Sequence, residues 1–161
     1  MTINQALTLA RKIMSNHEEL ANWKATHNNR KRAFGVCNYT DRQIELSALL
    51  VPAMTEEAIK DTIIHEIAHA LTRGHGHDIV WKAKCIELGG NGKRCGGSEN
   101  YENGAIGHKA LLEKIAKYTL TCPVCGRITY KNRKPTRSSS CGQHGYKVYN
   151  PDYKLILTQN Y

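Results

Sequence analysis

The chain has 161 residues, of which 40% are apolar, and it carries a net charge of +9. This length allows one ordinary domain with a small appendage, and the apolar content argues against wholesale disorder. No apolar run approaches the length of a membrane span, and the first residues lack the basic and apolar regions of a secretory signal. We therefore expect a soluble, cytoplasmic protein without a membrane partner.

The positive charge is concentrated in the C-terminal part. From Lys109 onward ten Lys or Arg stand against two acidic residues, a net charge of +8, whereas the first 108 residues carry +1. Such an asymmetry indicates a polyanion partner, and nucleic acid is the first choice. A solvated basic face that serves solubility is the alternative.

Six cysteines in a cytosolic chain indicate metal binding more than disulfides. Cys37 and Cys85 lack the spacing of metal ligands and are predicted to be small buried residues. Cys95 also lacks such a spacing, and its role stays open. The other three belong to a metal-binding pattern described below.

Helical and strand patterns alternate in the first third of the chain. Residues 3–15 carry apolar side chains with a period of 3.6, which predicts a helix, and a short helical stretch over 17–23 follows. Residues 33–39 and 43–47 are typical of two strands joined by a hairpin loop at 40–42.

The stretch Asp61–Leu71 predicts a helix that presents a metal site. His65 and His69 are four residues apart, so both imidazoles leave one face of the helix, one turn apart. Neutral imidazole is a preferred zinc ligand, and Glu66 points about 100° away, where it can act on a water without binding the metal. This H-E-x-x-H pattern indicates metal-assisted hydrolysis with Glu66 as the general base. A purely structural pair of histidines is the alternative.

The same helix has an apolar face. Ile59, Ile63, Ile67 and Ala70 recur at helical spacing and form a stripe for burial in the core. Each histidine follows an isoleucine by two residues, which is about 200° around the helix. One face is therefore expected to pack while the other faces a cleft. Thr55 is the predicted N-cap.

A turn rich in glycine and histidine follows the helix and offers a third ligand, from His75 or His77. Asp78 is predicted to cap a helix over 79–88. Because seven of the thirteen glycines lie between residues 89 and 107, this segment is predicted to be a long loop.

The C-terminal part carries a second metal pattern. Cys122, Cys125, Cys141 and His144 have the spacing C-x2-C-x15-C-x2-H, which is typical of a zinc ribbon with a closed Cys3His ligand set. The glycine after each pair is expected to relieve strain where backbone amides approach the sulfur. So small a unit has little core, so metal binding should supply most of its folding free energy. A redox role for Cys122 and Cys125 is the alternative.

Basic side chains with an interleaved tyrosine lie between the two halves of this pattern. Cations contact phosphates and an aromatic ring can stack on an exposed base, so this segment is predicted to bind nucleic acid. The candidate contacts are Arg127, Tyr130, Lys131, Arg133, Lys134 and Arg137. Tyr146, Tyr149 and Tyr153 are expected either to add stacking surface or to cover the small core.

Together these motifs resemble the SprT-like family. The resemblance rests on His65-Glu66-Ile-Ala-His69, a third histidine in the glycine- and histidine-rich turn, Trp81 four residues later and the ribbon, and it spans roughly residues 20–161. That family includes the Spartan-type proteases that act on DNA–protein crosslinks, and many small bacterial and phage proteins.

The chain departs from the family at the third ligand, which the family places in a His-Gly-Pro-x-aromatic stretch. His77 keeps the histidine and Trp81 at the right separation but lacks the glycine and proline. His75 keeps the His-Gly dipeptide but has Ile79 in place of the aromatic residue. We favour His77 and keep His75 as the alternative.

The resemblance implies an α+β fold with two parts. A zincin-like metalloprotease domain over 1–116 would pack the HExxH helix on a small sheet, and a small β zinc ribbon would occupy 117–161. It also implies one catalytic Zn²⁺ held by His65, His69 and His77, and one structural Zn²⁺. The implied partners are a DNA-associated protein substrate and DNA, including single strands, in a bacterial or phage-infected cell.

Two other functions fit the same residues. One is a nucleic-acid-binding module that retains the HExxH fold for structure, with weak or no turnover. The other is a general intracellular peptidase that is indifferent to DNA. The three hypotheses differ in whether cleavage occurs and whether it depends on DNA.

Overall fold

The computed structural model describes residues 1–96, 98–144 and 148–161. Contacts between residues divide the chain into two compact units, Met1–His108 and Lys109–Tyr161. Helices and small sheets occur together, so the predicted α+β class is confirmed. None of the helices that the structure describes is long and apolar enough to cross a bilayer.

Among its described residues, the first unit holds three helices and a three-stranded sheet. The helices are α1 (Ile3–Met14), α2 (Glu56–Leu71) and α3 (Ile79–Glu87), and the strands are β1 (Lys24–Asn28), β2 (Gly35–Asn38) and β3 (Gln43–Ser47). The strand order is β1-β3-β2, with β1 parallel and β2 antiparallel to β3. Helix α2 packs on β2 and β3, which confirms the predicted arrangement of the HExxH helix on a small sheet.

Helix α2 is fixed by its cap and its apolar stripe. Thr55 Oγ1 accepts a hydrogen bond from the Ala58 amide at 3.2 Å, as predicted for the N-cap. Ile59, Ile63 and Ile67 are each 0% exposed and share one core with α1 and the sheet. Each such burial contributes about 1.5–3 kcal/mol. The stripe thereby sets the rotation of the helix and turns its histidines away from the core.

Two segments differ from the sequence prediction. Strand β1 was not predicted, because Ala25 is its one buried residue and no apolar alternation marks it. The segment 89–107 is not a loop throughout: a 3-10 turn covers Ser98–Asn100, and a fourth helix, α4 (Gly104–Ile115), begins within it. A high glycine content favours a loop on average, but a single glycine can also serve at the end of a helix. Gly104 does so here: it takes the left-handed conformation, with φ +56°, where α4 begins.

The second unit contains an antiparallel sheet. Helix α4 runs over Gly104–Ile115, and the division between the two units falls within this helix. The strands are β4 (Tyr118–Thr121), β5 (Ile128–Lys131) and β6 (Ile156–Gln159). Their order in the sheet is β5-β4-β6. Both strand pairs are antiparallel. Gly126, directly after the first cysteine pair, adopts φ +69°, as its predicted strain-relieving role requires. Gly145 and Tyr146, which the sequence analysis also singled out, lie outside the described residues.

Candidate metal centres and active site

Three histidines bring ring nitrogens together on the first unit. The Nε2 atoms of His65 and His69 lie 3.3 Å apart, and Nε2 of His77 lies 3.0 Å from the first and 3.1 Å from the second. Nitrogen ligands at about 2.0–2.1 Å around a tetrahedral zinc ion are roughly 3.3–3.4 Å apart. The three nitrogens therefore fit a metal ion, and no fourth side chain of the described residues joins them.

Backbone carbonyls determine which ring nitrogens face the metal position. The Lys93 carbonyl raises the pKa of the His65 ring and the His75 carbonyl raises that of the His69 ring, as a backbone acceptor facing the ring hydrogen does. The remaining nitrogen of each ring therefore carries a lone pair, and lone pairs that converge are stabilised by a cation between them. Burial, followed by the neighbouring histidines, lowers the pKa of His65 to about 4, which keeps this imidazole neutral for metal binding.

His75, the alternative third ligand, is engaged elsewhere. Its Nδ1 lies 2.7 Å from Asp78 Oδ2. Asp78 Oδ1 accepts from the amides of Val80 and Trp81, both at 3.0 Å, and so caps α3 as predicted. The structure thus brings His77, and not His75, to the pair of histidines on α2.

Trp81 forms the floor beneath the three imidazoles. It is 0% exposed, and its ring centroid lies 4.7 Å from that of His65, 5.2 Å from His69 and 4.6 Å from His77. Its Nε1 donates to the His65 carbonyl at 3.4 Å. One buried ring therefore packs against all three histidines. The sequence indicated Trp81 only as part of the family resemblance and did not predict this contact.

Glu66 lies beside the histidines and is 8% exposed. Burial raises the pKa of its carboxyl to about 7, and a hydrogen bond from the Cys37 amide partly opposes this shift. A carboxyl that titrates near neutral pH can both accept and return a proton, as a general base requires. Gly35 makes room for it, because a Cβ there would lie 2.7 Å from Glu66 Cγ.

The neighbours of Glu66 were not identified from the sequence as parts of a site. Cys37 was predicted to be a small buried residue, but it is half-buried; burial, ahead of the charge of Glu66, raises the pKa of its thiol to about 12. The Tyr39 hydroxyl donates to the His69 carbonyl at 2.9 Å. An isolated glycine within a predicted strand, Gly35, was the available signal, since such a glycine often marks a close approach.

A cleft of about 290 Å³ joins these groups. Its lining includes His65, Glu66 and His77, and its rim carries the exposed cations Arg32, Lys93 and Arg94. Within the described ranges, none of these three cations forms an ion pair. The rim of the cleft is therefore positively charged.

The second cluster lies in the second unit, where ligand atoms of Cys122, Cys125, Cys141 and His144 all lie within 4.8 Å of one another. Cys125 Sγ and Cys141 Sγ are 3.8 Å apart, which is the separation that Zn–S bonds of about 2.3 Å give at a tetrahedral ion. His144 Nε2 is buried, and no described residue gives it a hydrogen-bond partner. Four converging donors, one of them unsatisfied, fit a closed zinc site.

Local contacts arrange this cluster. The Cys125 amide donates to Cys122 Sγ and lowers the pKa of that thiol, as expected for a metal-binding knuckle. The Tyr153 ring stacks on His144 with centroids 4.9 Å apart. Tyr153 therefore covers a candidate ligand, while Tyr149 is 49% exposed.

The predicted nucleic-acid contacts lie on and around β5. Five of the six are exposed: Arg127, Lys131, Arg133, Lys134 and Arg137. No ion pair involving them occurs in the part of the chain that the structure describes. Tyr130 is different, because it is half-buried and its hydroxyl donates to Glu113 Oε1 at 2.7 Å.

No curated protein matches the chain. Among solved structures, the crystal structure of the metallopeptidase zymogen of Methanocaldococcus jannaschii jannalysin is similar over 52% of this chain and 89% of that chain, with 16% identity and a TM-score of 0.44. The SprT-like family model matches residues 3–102, which include α2 and the three histidines. The chain therefore belongs to the SprT-like family, as the sequence resemblance predicted.

Proposed function

We propose that this protein is a zinc-dependent endopeptidase that hydrolyses peptide bonds in DNA-associated proteins. One observation carries the hydrolytic part of the proposal. Three histidine nitrogens converge within 3.3 Å of one another, and a buried carboxyl with a pKa of about 7 lines the same cleft. This combination is what hydrolysis by an activated water requires.

Each residue has a defined task in this reaction. A zinc ion held by His65, His69 and His77 would supply a Lewis acid that polarises the scissile carbonyl and acidifies a water. Glu66 accepts the proton from the attacking water and then delivers it to the leaving amine. The Cys37 amide and the space left by Gly35 hold the Glu66 carboxyl in place for both transfers.

The sheet offers a place for the substrate backbone. In the described sheet β2 lies at an edge, and its first residue, Gly35, lines the cleft together with residues 32–34, which lead into the strand. An extended peptide can add to such an edge through main-chain hydrogen bonds. That placement favours cleavage of extended or unfolded segments over cleavage of folded surfaces.

The charge of the second unit supports the DNA part of the proposal. Beside the exposed cations around β5, a groove of about 540 Å³ runs between residues 135–139 and β6. Its lining combines the cations Arg137 and Lys154 with the apolar Ile156 and Leu157. Cations beside an apolar surface suit the phosphates and bases of a nucleic acid strand.

The test is cleavage of a basic DNA-binding protein by the zinc-loaded chain, with and without single-stranded DNA. Glu66→Gln is the matched variant, because it keeps the shape of the side chain and all metal ligands but cannot accept the proton. We expect cleavage that needs DNA and that falls by about 10²–10⁴-fold in Glu66→Gln. Metal content should be equal in both proteins.

The other outcomes identify the rival functions. Equal cleavage by Glu66→Gln would remove Glu66 from the mechanism. Cleavage that needs Glu66 but ignores DNA, and that survives charge reversal at Lys131, Arg133 and Lys134, would identify a general peptidase. Salt-sensitive DNA binding without any cleavage would identify a nucleic-acid-binding module.

A further inference from the structure

The segment after α3 reaches one of the candidate metal ligands. Residues 89–93, here called the strap, lie outside regular secondary structure in a part of the chain rich in glycine. The strap is nevertheless packed closely against two helices. The Gly90 amide donates to the Cys85 carbonyl at 2.8 Å, and a Cβ on Gly90 would lie 2.7 Å from both Cys85 Sγ and Ile64 Cγ2.

Asp61, on the second turn of α2, holds the middle of the strap. Its Oδ1 accepts from the backbone amide of Asn91 and its Oδ2 accepts from the Asn91 side chain, both at 2.7 Å. Asn91 Oδ1 in turn accepts from the Lys93 amide at 2.7 Å. Three short hydrogen bonds thus connect the carboxylate to the backbone of Lys93.

The end of this chain of contacts is a metal ligand. The Lys93 backbone acts as a hydrogen-bond acceptor toward the His65 ring, which lines the same cleft and whose Nε2 faces the other two histidines. The equivalent acceptor for His69 is His75, only six residues away in the adjoining turn. Because Lys93 is 28 residues from His65 and lies in no helix or strand, its carbonyl needs a separate anchor to stay in position.

We propose that Asp61 is a positioning residue of the metal site, acting through Asn91 and Lys93 on His65. It is not one of the three converging histidines, and it lies in the wall of the same cleft. It holds the carbonyl that fixes the ring orientation and tautomer of His65, and so keeps the Nε2 lone pair directed at the metal. Loss of such an outer contact typically lowers metal affinity or activity by about 10–100-fold. The inference rests on the three-histidine metal site of the proposed function.

The test measures metal binding without any peptide. Co²⁺ is titrated into the metal-free full chain with Zn²⁺ as competitor. The thiolate charge-transfer absorption reports the occupancy of the cysteine cluster, and the total bound Co²⁺ from equilibrium dialysis, minus that occupancy, reports the histidine cluster. Asp61→Ala and Asn91→Ala each remove part of the anchor. Glu57→Ala is the control, since it removes an exposed carboxylate from the first turn of the same helix.

We expect affinity at the histidine cluster to fall by about 10–100-fold in Asp61→Ala and Asn91→Ala and to stay unchanged in Glu57→Ala. Binding at the cysteine cluster should be equal in all proteins. The double exchange Asp61→Asn with Asn91→Asp should restore affinity, because an amide and a carboxylate can make the same pair of contacts with donor and acceptor reversed.

Three results would overturn the proposal. They are affinity within twofold of the parent in both single variants, an equal loss in Glu57→Ala, or a double exchange that restores thermal stability but not metal affinity. If Asp61→Ala does not fold, Asn91→Ala decides alone, because Asn91 is exposed outside regular secondary structure. Absence of proteolysis in all variants would count against the proposed function but leave these binding results intact.

Discussion

The two candidate metal-binding clusters of this protein lie on scaffolds of opposite kinds. The three histidines stand on and beside α2, whose other face places Ile59, Ile63 and Ile67 at 0% exposure in a core of its own. The cysteine cluster stands on short turns in a unit where β6 is exposed along its whole length. A unit with a large apolar core can leave a coordination position open for chemistry, whereas a unit with a small core is expected to need every metal ligand to stay folded.

Removal of the metal should reveal the largest difference in stability between the two units. With a chelator, we expect the strands of the second unit to lose hydrogen-exchange protection while α1 and α2 keep theirs. The reason is that structural zinc contributes about 10–16 kcal/mol to folding in small zinc modules, whereas the first unit has its own apolar core. Hydrogen exchange on the full chain, resolved by peptide, measures both units in one experiment.

Matched ligand variants provide the control for that experiment. Cys141→Ser should reproduce the loss of protection in the second unit with metal present. His77→Ala should leave both units protected and abolish cleavage only. If β4–β6 stayed protected after the chelator had removed the metal, the second unit would fold without metal. The two units would then not differ in their dependence on metal.

Trp81→Ala should cause the largest loss of stability among single changes near the histidines. Truncating a fully buried tryptophan costs about 3–5 kcal/mol, and Trp81 is 0% exposed. Urea unfolding of the metal-free protein, followed by the fluorescence of Trp23, reports the first unit alone, since both tryptophans lie there. Tyr153→Ala is the comparison: it removes the half-buried ring that covers His144, and should leave this transition unchanged.

Glu66→Gln should stabilise the metal-free first unit in a pH-dependent way. The folded carboxyl keeps its proton up to a pKa of about 7, against an ordinary value of 4.5, so ionisation favours the unfolded state. The buried carboxyl therefore lowers the free energy of unfolding when it ionises. This loss of stability is absent below pH 4.5, grows as the pH rises and is complete above about pH 7. It amounts to about 3 kcal/mol. The variant lacks this penalty, because an amide does not ionise.

Urea unfolding of parent and Glu66→Gln at pH 5 and pH 8 measures this effect. The variant should gain stability over the parent mainly at pH 8. A stability difference that is the same at both values would mean that burial does not perturb Glu66. The result would also test why this carboxyl is suited to proton transfer, since the same burial is responsible for both properties.

The sequence predicted those parts of the site that follow from local periodicity. A helix repeats every 3.6 residues, so the spacing of His65, Glu66 and His69 fixes their relative directions, and the isoleucine stripe fixes which face is buried. The cap at Thr55 and the cap at Asp78 are equally local. The closed cysteine pattern is likewise recognisable from spacing alone.

The parts that escaped prediction depend on contacts between distant segments. Strand β1 is ordered by parallel pairing with β3, although its own sequence has no apolar alternation. Gly35 matters because Glu66 lies against it, and Lys93 matters because its carbonyl meets His65. Neither relation has a sequence spacing that could reveal it, since each joins segments that come together only in the folded chain.

The smallest expected effect concerns the charged rim of the cleft. Arg94→Glu should lower kcat/KM for a peptide with an acidic residue near the scissile bond, relative to a neutral peptide, by about 1.4–5-fold, because exposed charges contribute about 0.2–1 kcal/mol. The effect should shrink as salt is added. Lys24→Glu, an exposed cation on β1 outside the cleft, is the matched control and should not change the ratio.

Charge reversal in the second unit completes this comparison. Arg133→Glu should weaken the dependence on DNA and leave the preference between the two peptides unchanged, because Arg133 lies in the second unit whereas the cleft is lined by residues of the first. If Arg94→Glu and Arg133→Glu each changed both the peptide preference and the dependence on DNA, the positive charges of the chain would attract any anion without distinction. Separate effects would instead assign the cations of the cleft to the peptide and those around β5 to nucleic acid.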